Sequence, residues 1–142
     1  MALGPHVPEW QALREELARL ANASGAWLCA VLSIGNVLWC SSHVVEDIDE
    51  LARDVYATHV APIRTSLLRG AEIDHFGLTS EGVCYLRSFA GIYVLVLWRE
   101  GYADARRVRR SVLAALPRVE GLTLSLPPPS PDSAEGAGKQ RA

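Results

Sequence analysis

The chain has 142 residues, of which 49% are hydrophobic and 21% charged, the make-up of one globular domain that can bury a core without staples. Its formal net charge of -2 gives no general attraction to nucleic acid or to an anionic membrane surface. No run approaches the roughly eighteen apolar residues of a membrane span, and Pro5, His6 and Pro8 near the start lack the apolar centre of a signal peptide, so a cytoplasmic protein without membrane insertion is expected.

Trp10, Leu13, Leu17 and Leu20 recur at helical spacing, which predicts a helix over residues 9–21, with Pro8 in its first turn and Asn22 and Gly25 ending it. Residues 26–42 read as a hairpin that turns at Gly35-Asn36. With Ile34 and Val37 flanking a two-residue turn, Leu32 lies opposite Trp39 and Val31 opposite Cys40. One face then carries Leu28, Ala30, Leu32 and Ile34, and the other Trp27, Cys29, Val31 and Cys40. A sheet that is apolar on both faces needs helices above and below it.

Ser41 or Ser42 is the expected N-cap of a long helix running from about residue 44 to Gly70. Glu46, Asp47, Asp49 and Glu50 suit the positive end of its dipole. Pro62 removes one helical hydrogen bond and is expected to bend or split this helix near His59. Residues 72–80 and 83–89 follow as strands around an Glu81-Gly82 turn, and Ala90-Gly91 makes the next turn. Residues 92–98 are apolar throughout, as in a central strand covered on both faces. Residues 104–116 read as a helix with Ala105, Val108, Val112 and Leu116 inward and Arg106, Arg107, Arg109 and Arg110 outward. Pro117 is expected to break it, and Leu122 to Leu126 to form a short edge strand or lie over the core. From Pro127 onward there is no core residue, so the expected division is a domain over 1–126 and a disordered tail over 127–142.

The order α-β-β-α-β-β-β-α resembles the roadblock/LC7 family, and in particular its bacterial MglB-like group, over residues 9–116. The features that carry the resemblance are the hairpin with its Gly35-Asn36 turn, the long helix after Ser42, the strand-turn-strand around residues 78–82, and an apolar last strand running into an Arg-rich helix. The resemblance implies an α+β domain with a five-stranded antiparallel sheet, the long helix on one face and the terminal helices on the other. It also implies a homodimer through the long helix and the strand after it, with Val55, Tyr56, His59, Ile63, Leu67, Ile73 and His75 in the interface. By the same resemblance the chain is not an enzyme and needs no cofactor. It is a scaffold, GTPase-activating-protein-like, for a Ras-like small GTPase or a paralogous roadblock subunit in the control of cell polarity, motility or trafficking.

The residues themselves offer two candidate docking patches of opposite sign on different helices. One is Glu46, Asp47, Asp49 and Glu50, the other Arg106, Arg107, Arg109 and Arg110, whose guanidinium forks suit carboxylates. Each run is equally well a solvated helix face. Cys29, Cys40 and Cys84, with His43, His59 and His75, contain no CxxC or HxxxH pair, so buried structural thiols and no metal are expected. The glycines between Gly77 and Gly82 lack the lysine of a phosphate-binding loop, and the sole lysine is Lys139 in the tail. The alternative reading is a small enzyme or ligand sensor with a pocket against the sheet, which a co-purifying metabolite would favour.

Overall fold

The computed structural model describes residues 8–35, 40–43, 46–101 and 104–126. Its elements are α1 (Pro8–Ser24), β1 (Leu28–Ser33), β2 (Cys40–Ser41), α2 (Ile48–Val55), a π turn (Tyr56–Val60), a 3-10 turn (Ala61–Ile63), α3 (Arg64–Leu68), β3 (Asp74–Thr79), β4 (Gly82–Phe89), β5 (Tyr93–Arg99) and α4 (Ala105–Leu124). The strands form one five-stranded sheet in the order β2-β1-β5-β4-β3, every neighbouring pair antiparallel.

Alternation along the strands sorts apolar side chains into two cores, one on each face. On one face Cys29, Val31, Tyr85, Leu95 and Leu97 pack against Trp10, Leu13 and Leu17 of α1 and Val108, Val112 and Val119 of α4. On the other, Leu28, Ala30, Leu32, Val94, Val96 and Trp98 pack against Ile48, Leu51 and Val55 of α2, with Val60 and Leu67 beyond. The helices are therefore placed as the resemblance implies. β5 lies in the middle of the sheet and is buried along its whole length, which is why its sequence shows no polar alternation. Val31 pairs with Cys40, the register expected from the hairpin; Asn36 and residues 37–39 lie outside the described residues.

α1 runs one turn further than its periodicity predicted. Ser24 Oγ donates to the Leu20 carbonyl at 2.7 Å, and Gly25, at φ 73, turns the chain out of the helix. The split at Pro62 falls where it was expected. Because proline has no N–H, the helix loosens before it: Ala61 N–H reaches back to the Tyr56 carbonyl, and a tight turn over Ala61–Ile63 follows before helical bonding resumes.

Two expectations are corrected. Neither Ser41 nor Ser42 caps α2. The helix starts at Ile48, behind Asp47, which makes no side-chain cap bond. Both hydroxyls are engaged at the hairpin, where Ser41 Oγ donates to the His43 carbonyl at 2.8 Å and Ser42 Oγ accepts from Cys29 N–H at 3.1 Å. Pro117 does not break α4, which continues to Leu124. An interior proline costs about 3 kcal/mol. Beyond it, however, Val119, Thr123 and Leu126 are buried, and a fully buried side chain of this kind returns about 1.5–3 kcal/mol. Pro117 sits on the exposed side, where its missing bond and its ring meet water. The segment after it thus lies over the core as helix and not as an edge strand. No helix among the described residues is long and apolar enough to cross a membrane.

Candidate interaction surfaces

β3 is an open edge of the sheet. Its exposed residues include His75 and Leu78, the latter 66% exposed. His59, from the π turn, is folded down onto this strand. Its Nε2 donates to the Leu78 carbonyl at 3.0 Å, and its ring stands 5.7 Å from that of His75. The imidazole occupies the space over Gly77 so closely that a Cβ at position 77 would overlap it. Burial, and next to it the charge of His59, hold the His75 imidazole below its ordinary pKa, against the pull of Asp74. At the far end of the strand the Asp54 carboxylate accepts from both Ser80 N–H and Ser80 Oγ, at 3.0 and 3.1 Å, and ties α2 to the β3–β4 turn. Beside that tie, Asp47, Glu50, Asp54 and Glu81 line an open cleft of about 310 Å³.

Of the residues expected at a dimer seam, Val55, Leu67 and Ile73 are packed inside the protomer's own core. They have no surface left to offer a second copy. Tyr56 is half-buried, its hydroxyl donating to the Ile34 carbonyl at 2.6 Å. His59, Ile63 and His75 reach the surface. Sequence reasoning missed Leu68 and Leu78, which are exposed, Leu78 on the other face of the sheet with Asp74 and Phe76. Leu78 shares its face of β3 with half-buried Phe76, so the period of two did not mark it as exposed. Leu68 was not legible either, because the wide turn over Tyr56–Val60 resets the helical phase and so decides which of Leu67 and Leu68 points inward.

The arginines of α4 divide in two. Arg107 Nε donates to the Ala23 carbonyl at 2.9 Å, holding α4 against the end of α1. Arg109 lies 5.4 Å over the Phe76 ring and 5.8 Å over that of Tyr85, with its Nε 3.4 Å from Asp74. Asp74 also receives the Tyr85 hydroxyl and, at 3.5 Å, Arg87. Burial pushes the Asp74 carboxyl up, but the bonds from Tyr85 and Arg109 and the charge of Arg87 outweigh it and leave the group below its usual range. Arg106 and Arg110 are exposed and have no ion pair among the described residues. In the acidic run Glu46, Asp47 and Glu50 are exposed and Asp49 half-buried. The charge runs are thus only partly solvated helix faces.

Cys29, Cys40 and Cys84 are free and buried. Burial pushes Cys40 and Cys84 up to about 12 and Cys29 well above the ordinary thiol value, so none supplies a thiolate near neutral pH. No group of His, Cys, Asp and Glu among the described residues is arranged to hold a metal ion.

A five-stranded antiparallel sheet in this order, with a broken helix on one face and two terminal helices on the other, is the roadblock/LC7 fold, and the chain has that fold. Among solved structures it is similar to Myxococcus xanthus MglB, with a TM-score of 0.65 at 20% identity over 83% of this chain and 99% of that one. It is also similar to MglC from Myxococcus xanthus, with a TM-score of 0.51 at 20% identity over 78% of this chain and 98% of that one. A roadblock/LC7 domain from Streptomyces avermitillis gives 0.52 at 20% identity over 75% and 96%. No protein-family model matches the sequence, and no curated protein matches it.

Proposed function

We propose that the chain is a non-catalytic dimeric platform in the cytoplasm that binds a Ras-like small GTPase, a paralogous roadblock subunit, or both, in the control of polarity, motility or trafficking. The observation that carries this reading is β3 at the edge of the sheet with His75 exposed on it under His59, and Ile63 and Leu68 exposed on the helical run of the same face. An edge strand near exposed apolar side chains is a template for a second chain. A two-fold axis suits the charges as well. The helical run is acidic where it begins, at Asp47 and Glu50, and basic where it ends, at Arg64 and Arg69, so two copies packed antiparallel set unlike charges opposite each other. Any stimulation of GTP hydrolysis would come from positioning the GTPase's own groups. The similarity to MglB and MglC supports the same reading at the level of the fold.

Light scattering tests the dimer, with twice the 15.4 kDa chain mass expected. Ile63→Glu should give folded monomers, since Ile63 is 37% exposed in the protomer and a charge there is costly only once a partner covers it. A wild-type mass of one chain throughout the micromolar range removes the dimer. Titration calorimetry with Ras-like GTPases of the source organism, loaded with a non-hydrolysable GTP analogue, tests the partner; heat with none of them removes that part of the reading.

A further inference from the structure

The layer opposite the β3 edge holds a second surface. α1 and α4 are tied together at two places. At one, Arg107 Nε and Ser111 Oγ both donate to the Ala23 carbonyl, at 2.9 and 3.5 Å. At the other, buried Glu16 accepts from Arg19 at 2.7 Å and from Arg118 at 2.8 Å. Between these ties the helices face each other with small side chains and leave a cleft of about 390 Å³, floored by Leu20, Ala23, Ala114 and Ala115 and rimmed by Arg110. The ties fix both walls, so the cleft is preformed. Elsewhere on α4, outside the cleft, Leu113 and Leu124 are 55% and 80% exposed.

We propose that this cleft docks an acidic amphipathic helix of a partner protein, with a large apolar side chain seated on the alanine floor and carboxylates on Arg110 and Arg106. The proposal rests on the platform reading but uses the face away from the dimer seam. Charge selects the occupant. Glu16, which lines the cleft together with Arg19, already serves Arg19 and Arg118, so Arg110 leaves the rim cationic. A second copy of α4 fits badly, because Arg106, Arg107, Arg109, Arg110 and Arg118 would meet their own kind with Glu120 as the acidic counterpart within the helix. The chain's own tail fits badly too. Past its prolines it has no apolar side chain larger than alanine, and Asp132 and Glu135 are balanced by Lys139 and Arg141. An acidic helix with an apolar face answers both halves of the surface, carboxylates toward Arg106 and Arg110 and apolar groups toward Leu20, Ala23, Ala114 and Ala115.

The test uses the full chain and a fluorescent synthetic peptide of about four helical turns, with glutamates in its first turns and leucines at helical spacing throughout. Fluorescence anisotropy should show saturable binding that weakens with added salt. Arg110→Glu should weaken it about tenfold or more. Ala114→Trp should do the same by filling the cleft, and because Ala114 is exposed both variants should keep the wild-type circular dichroism and mass. Ile63→Glu should leave the affinity unchanged, so failure of the dimer and failure of this site are read separately. No binding up to about 1 mM, undiminished binding by both folded cleft variants, or equal binding of a peptide with lysine for glutamate would each overturn the proposal.

Discussion

Pro117→Ala should stabilise the protein. Pro117 lies inside α4, exposed, with buried residues on both sides of it in sequence, Leu116 before and Val119 after. Its ring deprives the Leu113 carbonyl of a helical donor, and an interior proline is about 3 kcal/mol worse than alanine. Alanine forfeits the proline's restriction of the unfolded chain, about 0.4–1 kcal/mol. The net gain is about 2 kcal/mol, because the side chain itself touches water and leaves no cavity in the core. For a domain of this size that corresponds to a rise in Tm of about 6–10 °C. Circular dichroism during a thermal scan, with a urea titration to check that the m-value is unchanged, measures it. An unchanged or lower Tm would refute the reasoning. It would mean that the bend imposed by the proline is what seats Val119, Thr123 and Leu126 on the core, and that α4 continues because of Pro117 and not in spite of it.

Gly77→Ala should lower stability by about 1–3 kcal/mol, since the new Cβ displaces the His59 ring; adding His59→Ala should cost less than the sum of the two single changes, and strict additivity in urea titrations would show that the ring does not press on position 77. Stability should fall as pH is lowered through the histidine range. His75 has its folded pKa below the ordinary 6.5, so its contribution is full above that value and is lost as pH falls toward the folded value. His75→Gln should shrink the difference in urea midpoint between about pH 7.5 and about pH 5.5, and an unchanged difference in that variant would show that His75 is not the source. Deleting residues 127–142 should leave Tm within a few degrees and the oligomeric mass at the same multiple of the chain; a larger fall would move the domain boundary into the tail.

Local periodicity settled much about this protein without any coordinates. The 3.6-residue pattern of Trp10, Leu13 and Leu17 placed α1. The two apolar faces of the hairpin called for helices above and below the sheet, and a two-residue turn at Gly35-Asn36 was enough to pair Val31 with Cys40. These features were readable because burial repeats at the period of the element, and the repeat is written in consecutive residues. Likewise Pro62 had to disturb its helix, because the donor it lacks is a local loss. The tertiary structure decided the matters where a local preference competes with a distant contact. Ser42 is a good cap by type, yet Cys29 N–H, 13 residues back in the chain, takes its hydroxyl. Pro117 is a good terminator by type, yet Val119, Thr123 and Leu126 find a core to fill beyond it. Val55, Leu67 and Ile73 are apolar like Ile63 and Leu78, but only packing against the sheet separates residues that close one chain's core from those left facing out. Arg109 likewise carries the same charge as Arg110. Asp74, 35 residues away in sequence, holds the first at the sheet edge and leaves the second at the rim of an open cleft, a difference of position in space that no neighbouring residue encodes.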